Sequence, residues 1–311
     1  DFFENFERAL APALAGDADV VVHGGDLLYR SRVPAWLVDA ALAPLRRVAD
    51  AGVPVLVVPG NHERSRIPYP LLTLHDGLHL FDRPRTVTIE AGGVRAAFIG
   101  FPYAREVRSR FRDLLTAARM GEEPADVRVL CLHHCVAGAT CGPGDYTFTT
   151  APDVIRREDL PADVCVTLTG HIHRHQVLTD VRHGPVIYAG SVERTSFAEA
   201  SETKGYVTLS LTPTGLASWA FHPLATRPMV VAPVRFAAGD AGAVRQQLAA
   251  AVAQTPHDAV VRLRVDGGVP AALTADLVRS CAGQRSVSLA WTPEPRTRTR
   301  RVPQAQPIHT D

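Results

Sequence analysis

Four short apolar segments of this 311-residue chain each run into polar residues. They read "DVVVHGGD", "VPVLVVPGNHE", "VRVLCLHH" and "DVCVTLTGHIH", and the apolar part of each has the length of a buried strand. A helical pattern, "PAWLVDAALAPLRRVADAG", separates the first two segments, and a strand–helix–strand order favours parallel pairing. Because open α/β sheets bind ligands beyond the carboxyl ends of their strands, we expect these polar residues to meet at one sheet edge.

The remaining patterns predict further helices and strands, and a separate group of elements late in the chain. Apolar spacing predicts helices over 1–16 and 104–119, and short strands with a Gly-Gly turn over 78–101. "PVIYAGS", "GYVTLSL" and "LASWAFH" add β-structure that suggests a second sheet. The later patterns are a helix, a strand, a Pro-opened helix and a strand, at 241–254, 259–265, 270–282 and 287–291.

Three regions follow from these patterns. Residues 1–232 form the large domain with the four polar strand ends, and 233–292 form a small α+β unit. Residues 293–311 are Pro-rich and basic without apolar periodicity, so we expect a disordered tail there.

Composition excludes several classes of protein. The formal net charge of +1 creates no global field for a polyanion, so contacts with nucleic acid require local patches. No apolar run reaches the roughly 18 residues of a membrane span, which predicts no membrane partner. Five cysteines, an odd number without a C-x-x-C pair, argue against a disulfide framework and favour a cytoplasmic location.

The polar strand ends supply a mixed set of nitrogen and oxygen ligands: Asp26, Asn61, His133, His171 and His173. One carboxylate, one amide oxygen and several imidazoles suit Mn²⁺, Fe²⁺ or Zn²⁺ rather than Ca²⁺ or Mg²⁺ alone. His171 and His173 are two residues apart and share a face in extended backbone, so a pair of ions is expected.

Several of these residues also have a purely structural interpretation. Asp26 could cap the next helix, and Asn61 with His62 could hold a turn. Either His133 or His134 could be the ligand, and spacing from the strand favours His133.

Residues around the motifs are open between packing and substrate binding. His175 is typical of a surface or packing histidine, yet it lies close enough in sequence to touch a substrate, as does His134. Arg64 and Arg66, just past "GNHE", could meet a phosphate backbone or belong to a solvated loop.

The motifs "GGD", "GNHE", "LHH" and "GHIH" together resemble the calcineurin-like metallophosphoesterases over about residues 20–200. The runs "REDLPADVCVTLTGHIHRHQ" and "YAGSVERTSFAE" resemble most the SbcD-type nuclease subunit of bacterial DNA repair complexes. The resemblance implies an α/β fold in which a β-sandwich is flanked by helices in four layers (αββα). It also implies that the small α+β unit is a capping domain.

The resemblance assigns roles to the residues at matching positions. Asp26 would bridge two divalent ions, and Asn61, His133 and His171 would complete the shell of one ion. His173 would bind the other ion, and His62 would lie just outside the shell, where it would protonate or stabilise the leaving oxygen. Mn²⁺ is the expected metal, with Fe²⁺ and Zn²⁺ as alternatives.

One motif of the family, D-x-H on the first strand, is absent from the printed sequence. The chain is expected to begin just after it, as a fragment, and the alternative is a degenerate protein. Asp26 and His173 would then remain as the protein ligands of one ion.

The function implied is phosphodiester hydrolysis of DNA, as exonuclease and endonuclease in repair, by hydroxide that two metal ions activate. A phosphatase or small-nucleotide phosphodiesterase, or a non-catalytic scaffold that binds DNA or a partner, are the alternatives. The resemblance also implies a homodimer and an SMC-like SbcC-type ATPase partner.

Overall fold

The structure is a computed structural model that describes residues 1–30, 32–63, 75–179, 184–236, 240–266 and 268–291. It divides into two compact units, with the division between Arg227 and Pro228. Within the described residues, no helix is both long and apolar enough to cross a bilayer.

The first unit begins with two helices and a small parallel sheet. Strand β2 lies between β1 and β3 and pairs parallel with both, with Val21 opposite Val55 and Val55 opposite Leu78. The predicted crossover from β1 through α2 to β2 is therefore confirmed. The bounds are α1 Phe2–Leu14, β1 Val21–His23, α2 Ala35–Asp50, β2 Val55–Val57 and β3 Leu78–Leu80.

A six-stranded sheet forms the other half of this unit, in the order β12-β13-β11-β6-β5-β4. Its strands are β4 Arg85–Ala91, β5 Val94–Gly100, β6 Val127–Leu132, β11 Val166–Thr169, β12 Gln176–Leu178 and β13 Val186–Tyr188. The central strands β5, β6, β11 and β13 are parallel, whereas the edges β4 and β12 are antiparallel to their neighbours. The hairpin β4–β5 turns at the predicted Gly92–Gly93 pair.

Shorter elements complete the first unit. Helix α3 spans Val107–Ala117, and a long hairpin joins β14 Gly205–Thr212 to β15 Gly215–Pro223. Four two-residue strands pair as β10 with β7 and as β8 with β9. Their bounds are β7 Cys135–Val136, β8 Thr140–Cys141, β9 Tyr146–Thr147 and β10 Val154–Ile155.

The cores of this unit show a four-layer arrangement. Val55 and Val57 pack with α1 and α2, whereas Leu56 between them packs with residues of the six-stranded sheet. This period of two is the side-chain alternation of a strand. On the far face of the six-stranded sheet, α3 packs through Val107 and Phe111. The order helix, sheet, sheet, helix confirms the predicted αββα fold.

The second unit is a small parallel sheet with two helices. Strands β16 Met229–Val234, β17 Val260–Val265 and β18 Ser286–Trp291 lie in that order and are all parallel, with α4 Ala241–Ala253 and α5 Ala275–Ala282 between them. The helix predicted to open at Pro270 begins instead at Ala275, because the Thr274 side chain accepts a hydrogen bond from the Leu277 amide and caps it there. The predicted tail, 293–311, lies outside the described residues.

Candidate metal centre

The four polar strand ends converge at one edge of the two sheets of the first unit. Asp26 follows β1, Asn61 follows β2, His133 follows β6 directly, and His171 follows β11. Because β1 and β2 are parallel, as are β6 and β11, these residues leave at the carboxyl ends of their strands. The sequence prediction that they meet there is confirmed.

The backbone around this edge is tightly packed and locally strained. A Cβ added to Gly60 would lie 2.1 Å from Asp26 Oδ1, so only glycine fits at that position. Asp26 and His171 themselves have left-handed backbone, with φ of 53° and 75°. Such conformations are uncommon for residues other than glycine, and they concentrate at functional sites.

Four side chains of this cluster place atoms that could ligate a metal within a few ångströms of one another. Asn61 Oδ1 is 3.1 Å from His133 Nε2 and 2.8 Å from His171 Nδ1. Asp26 Oδ2 is 3.2 Å from His133 Nε2. Ligand atoms of Asp26, His133 and His171 all lie within 4.8 Å of one another, which is the spacing of a possible metal site.

The protonation pattern of His133 decides whether this cluster fits a cation. Its Nδ1 lies 2.6 Å from the Gly24 carbonyl oxygen, which can only accept, so Nδ1 carries a proton. In the neutral ring, Nε2 is then a lone pair that faces the oxygens of Asp26 and Asn61. Three acceptors that face one another repel unless a positive charge lies between them, so the residues fit a divalent ion.

Burial keeps the imidazole of His171 in the neutral form, which is the form that binds metals. Burial and the neighbouring His133 lower the pKa of His171 to about 4. Burial alone would raise the pKa of Asp26, but the hydrogen bond from the His62 amide, together with the hydrogen bond and charge that His133 and the charge that His62 offer when their rings are protonated, holds that pKa below its usual value. A neutral imidazole beside an ionised carboxylate is the protonation state that metal ligation requires.

His62 lies beside the cluster rather than inside it. Its backbone amide donates to Asp26 Oδ1 at 3.0 Å, while its ring Nε2 is 3.9 Å from Asp26 Oδ2. The side chain is 49% exposed, so solvent and an incoming substrate can reach the ring. This placement suits a proton donor next to the ligands.

His173 has its own hydrogen-bond partners on the segment after β13. Its Nδ1 is 3.0 Å from Thr195 Oγ1 and 3.0 Å from Glu199 Oε1. Burial alone would raise the pKa of Glu199, but hydrogen bonds from His173, Lys204 and Thr195 lower it well below its usual range. An ionised Glu199 therefore presents a hydrogen-bond acceptor to His173 Nδ1.

Comparison with known proteins agrees with this geometry. The model of the calcineurin-like phosphoesterase family matches residues 1–175, more than half of the chain. The chain belongs to this family. Calcineurin-like phosphoesterases use divalent metals, and the cluster of Asp26, His133 and His171 is a possible site for one.

Several relatives of this calcineurin-like phosphoesterase carry names from DNA repair. The DNA double-strand break repair protein Mre11 of Haloferax volcanii is 34% identical over 247 residues, 79% of this chain and 52% of the relative. That of Halobacterium salinarum is 30% identical over 212 residues, 66% of this chain and 49% of the relative. The SbcD subunit of the nuclease SbcCD of Bacillus subtilis is 25% identical over 238 residues, 65% of this chain and 58% of the relative. The chain thus spans about half the length of these relatives.

The residues predicted to touch substrate have different placements. His134 is fully buried, its Nε2 accepts from the Ala104 amide at 3.0 Å, and the Tyr103 ring stacks on it with centroids 5.1 Å apart. His175 is partly buried and stacks on Phe221 with centroids 4.0 Å apart. Both contacts are those of packing histidines, the alternative that the sequence left open. Arg64 and Arg66 lie outside the described residues.

Sequence reasoning missed a buried carboxylate that holds the ligand loops together. Glu63 is 1% exposed, and it accepts hydrogen bonds from the amides of Gly60 at 2.8 Å and Leu28 at 3.2 Å. It thereby ties the turn after β2 to the turn after β1. The signal was present in "GNHE", whose acidic residue directly follows His62.

Proposed function

We propose that this chain is a metal-dependent nuclease that hydrolyses phosphodiester bonds of DNA. The observation that carries the proposal is the convergence of Asp26 Oδ2, Asn61 Oδ1 and the lone pair of His133 Nε2 at one point. Membership of the calcineurin-like phosphoesterases supports hydrolysis of a phosphate ester, and the names of the relatives support DNA as the substrate.

In this proposal Asn61, His133, His171 and Asp26 would hold one divalent ion, and Asp26 and His173 would hold a second. When bound, such a pair would lower the pKa of a water and neutralise charge on the phosphate. The ligand set favours Mn²⁺, with Fe²⁺ or Zn²⁺ as alternatives, because it mixes imidazole nitrogen with carboxylate and amide oxygen.

The protein's own groups have two further tasks. His62 donates a proton from its exposed ring to the oxygen that leaves phosphorus, a role that imidazole performs well near neutral pH. The Gly24 carbonyl oxygen accepts a hydrogen bond from the N–H of His133 Nδ1 and so keeps Nε2 of that ring unprotonated.

The proposal extends to the second unit and to partners. Residues 233–292, which belong to the second compact unit, would form a small capping domain. The Bacillus subtilis relative is named as one subunit of a nuclease, which supports an ATPase subunit of the SMC-like SbcC type as a partner. A homodimer and a cytoplasmic location complete the proposal.

The test is a direct competition between substrates in the presence of Mn²⁺. End-labelled linear duplex DNA and bis-nitrophenyl phosphate are offered to the protein together and separately. We expect DNA cleavage that depends on Mn²⁺ and is lost in Asp26→Asn. Turnover of the small diester without DNA cleavage would contradict the nuclease and favour a small-substrate phosphodiesterase, and inactivity on both would favour a scaffold.

A further inference from the structure

The chain contains 33 basic residues, and just one of them is a lysine, Lys204. Lys204 is also 1% exposed, whereas lysine is among the residues least often fully buried. A buried ammonium is costly unless nearby groups compensate its charge and accept its hydrogen bonds. The position of this residue therefore requires an explanation from its surroundings.

Three acceptors surround the Lys204 ammonium and match its three donors. Its Nζ lies 2.8 Å from Glu199 Oε2, 2.8 Å from Glu202 Oε2 and 2.8 Å from the backbone carbonyl oxygen of His173. An ammonium has three N–H donors and no acceptor, so this arrangement satisfies it completely. Lys204 thus contacts both the backbone of His173 and Glu199, the carboxylate that contacts the His173 ring.

Glu199 carries the influence of Lys204 to the imidazole of His173. One carboxylate oxygen, Oε2, accepts from Lys204 and from the Thr195 amide at 3.1 Å. The other oxygen, Oε1, lies 3.0 Å from His173 Nδ1 and 2.5 Å from Thr195 Oγ1. The Lys204 ammonium and the Thr195 amide can only donate hydrogen bonds. The side chain at position 199 must therefore direct an acceptor atom toward them, and this fixes its orientation.

The remaining partner, Glu202, is compensated from its other oxygen. Arg174 Nε lies 3.0 Å from Glu202 Oε1, so two cationic and two anionic side chains alternate around this buried group. A lysine fits the inner position better than an arginine, because its compact ammonium directs three donors in three dimensions, whereas the guanidinium is a planar fork.

We propose that Lys204 and Glu199 are positioning residues that fix the ring tautomer of His173, with the proton on Nδ1 and Nε2 free for a metal ion. The inference deepens the proposed function, on which its metal-binding consequence rests. The tautomer itself is a property of the chain without metal, so it can be measured even if the nuclease proposal fails.

Glu199→Gln provides the sharpest test, since it changes almost no volume. Lys204 and the Thr195 amide require an acceptor, so the amide oxygen of the new side chain must face them. Its NH₂ group then faces His173 Nδ1, which must become the acceptor, and the ring proton moves to Nε2. Nitrogen-15 NMR of the histidine rings in the full metal-free chain reads this difference directly, with the His173 signals assigned from His173→Gln.

We expect a proton on Nδ1 of His173 in the unaltered chain and on Nε2 in Glu199→Gln. The double variant Glu199→Gln with Lys204→Met should show some Nδ1 proton as well, because only the Thr195 amide then orients the new side chain. Glu193→Gln is the matched control: Glu193 is 3% exposed on the same segment, but its carboxylate accepts from Asn5 and Arg227 instead. This control should keep the proton on Nδ1.

A second measurement is Mn²⁺ binding by equilibrium dialysis. Glu199→Gln should weaken the ion held through His173 by about 10- to 100-fold, as loss of an outer partner of a ligating histidine does. The proposal is overturned if His173 keeps its Nδ1 proton in Glu199→Gln, or if the tautomer in that variant is the same with Lys204 and with Met at position 204. Unfolding of the double variant would leave the single variant and its control to decide.

Discussion

The Gly24 carbonyl oxygen lies 2.6 Å from Nδ1 of His133 and thereby sets which nitrogen of that ring faces Asp26 and Asn61. The backbone after Gly24 packs closely against the His133 ring: a Cβ at Gly25 would lie 2.5 Å from the same nitrogen. The turn after β1 therefore supplies both a candidate ligand, Asp26, and the group that orients a second ligand.

Substitution of His133 should weaken Mn²⁺ binding strongly, whereas the same substitution of its neighbour His134 should not. His133→Gln removes the nitrogen that faces Asp26 and Asn61, so Mn²⁺ affinity should fall by at least the roughly 10- to 100-fold that loss of an outer partner of a ligand costs. His134→Gln removes a buried ring that contacts the backbone of Ala104 and should change the affinity by less than about threefold. Equilibrium dialysis with Mn²⁺ checks both, and equal losses would contradict the assignment of His133.

His62→Ala should leave metal binding intact and lower cleavage. Its ring is half exposed and 3.9 Å from Asp26, which places it beside the ligands rather than among them. Loss of a general acid costs about 10²- to 10⁴-fold in rate, and Mn²⁺ affinity should stay within about threefold. Single-turnover cleavage measures the rate, and equilibrium dialysis of the same preparation measures the Mn²⁺ affinity. An unchanged cleavage rate would exclude His62 from proton transfer.

Folding stability should fall as the pH drops below about 6.5. Burial lowers the pKa of His134 from 6.5 to about 3, so the unfolded chain binds a proton in this range that the folded chain does not. The stability is fully present above pH 6.5 and is lost as the pH falls toward 3, by a few kcal/mol from this group. Urea unfolding of the unaltered chain between pH 7 and pH 4 measures the slope.

His134→Gln supplies the comparison for that slope. This variant has no group that titrates at position 134, so its stability should depend less steeply on pH in the same range. His257→Gln is the control, since that side chain is 83% exposed and its removal should leave the slope unchanged. A slope equal in His134→Gln and the unaltered chain would contradict a buried neutral His134.

Glu63→Ala should destabilise the fold and weaken the metal site together. The Gly60 and Leu28 amides would each lose a buried acceptor, at about 1–3 kcal/mol for each unsatisfied donor. The turn that carries Asn61 would then loosen, and Mn²⁺ affinity should fall with it. Glu4→Ala, at a side chain that is 61% exposed, is the control for both urea unfolding and dialysis. Full Mn²⁺ affinity in Glu63→Ala would show that Glu63 does not support the site.

The parts of the fold that follow local rules could be predicted from the sequence. The helix over Ala35–Asp50 was predicted from its apolar spacing, Pro34 and Gly52, and the crossover it forms gave the parallel pairing of β1 with β2. Strand β16, Met229–Val234, was not predicted, because Pro233 interrupts its pattern. It is an edge strand, where proline is tolerated, and only its pairing with β17 reveals it.

The candidate ligands were predictable because each one ends a strand, so a rule about sheets was enough to bring them together. The supporting groups were not. Glu199 and Lys204 reach His173 from 26 and 31 residues away, along a segment without regular strand spacing. Their chemistry depends on how the segment after β13 folds back, and neither propensity nor periodicity encodes that path.

Mn²⁺-dependent cleavage of end-labelled linear duplex DNA, compared between the unaltered chain and His133→Gln, is the decisive experiment on the proposed nuclease. A nuclease that binds its ion through His133 should cleave DNA at a rate that rises with Mn²⁺ concentration, disappears with a chelator, and is lost in the variant at concentrations that saturate the unaltered chain. Cleavage that persists in His133→Gln at the same Mn²⁺ concentration, or an unaltered chain that binds Mn²⁺ and leaves DNA intact, would contradict this function.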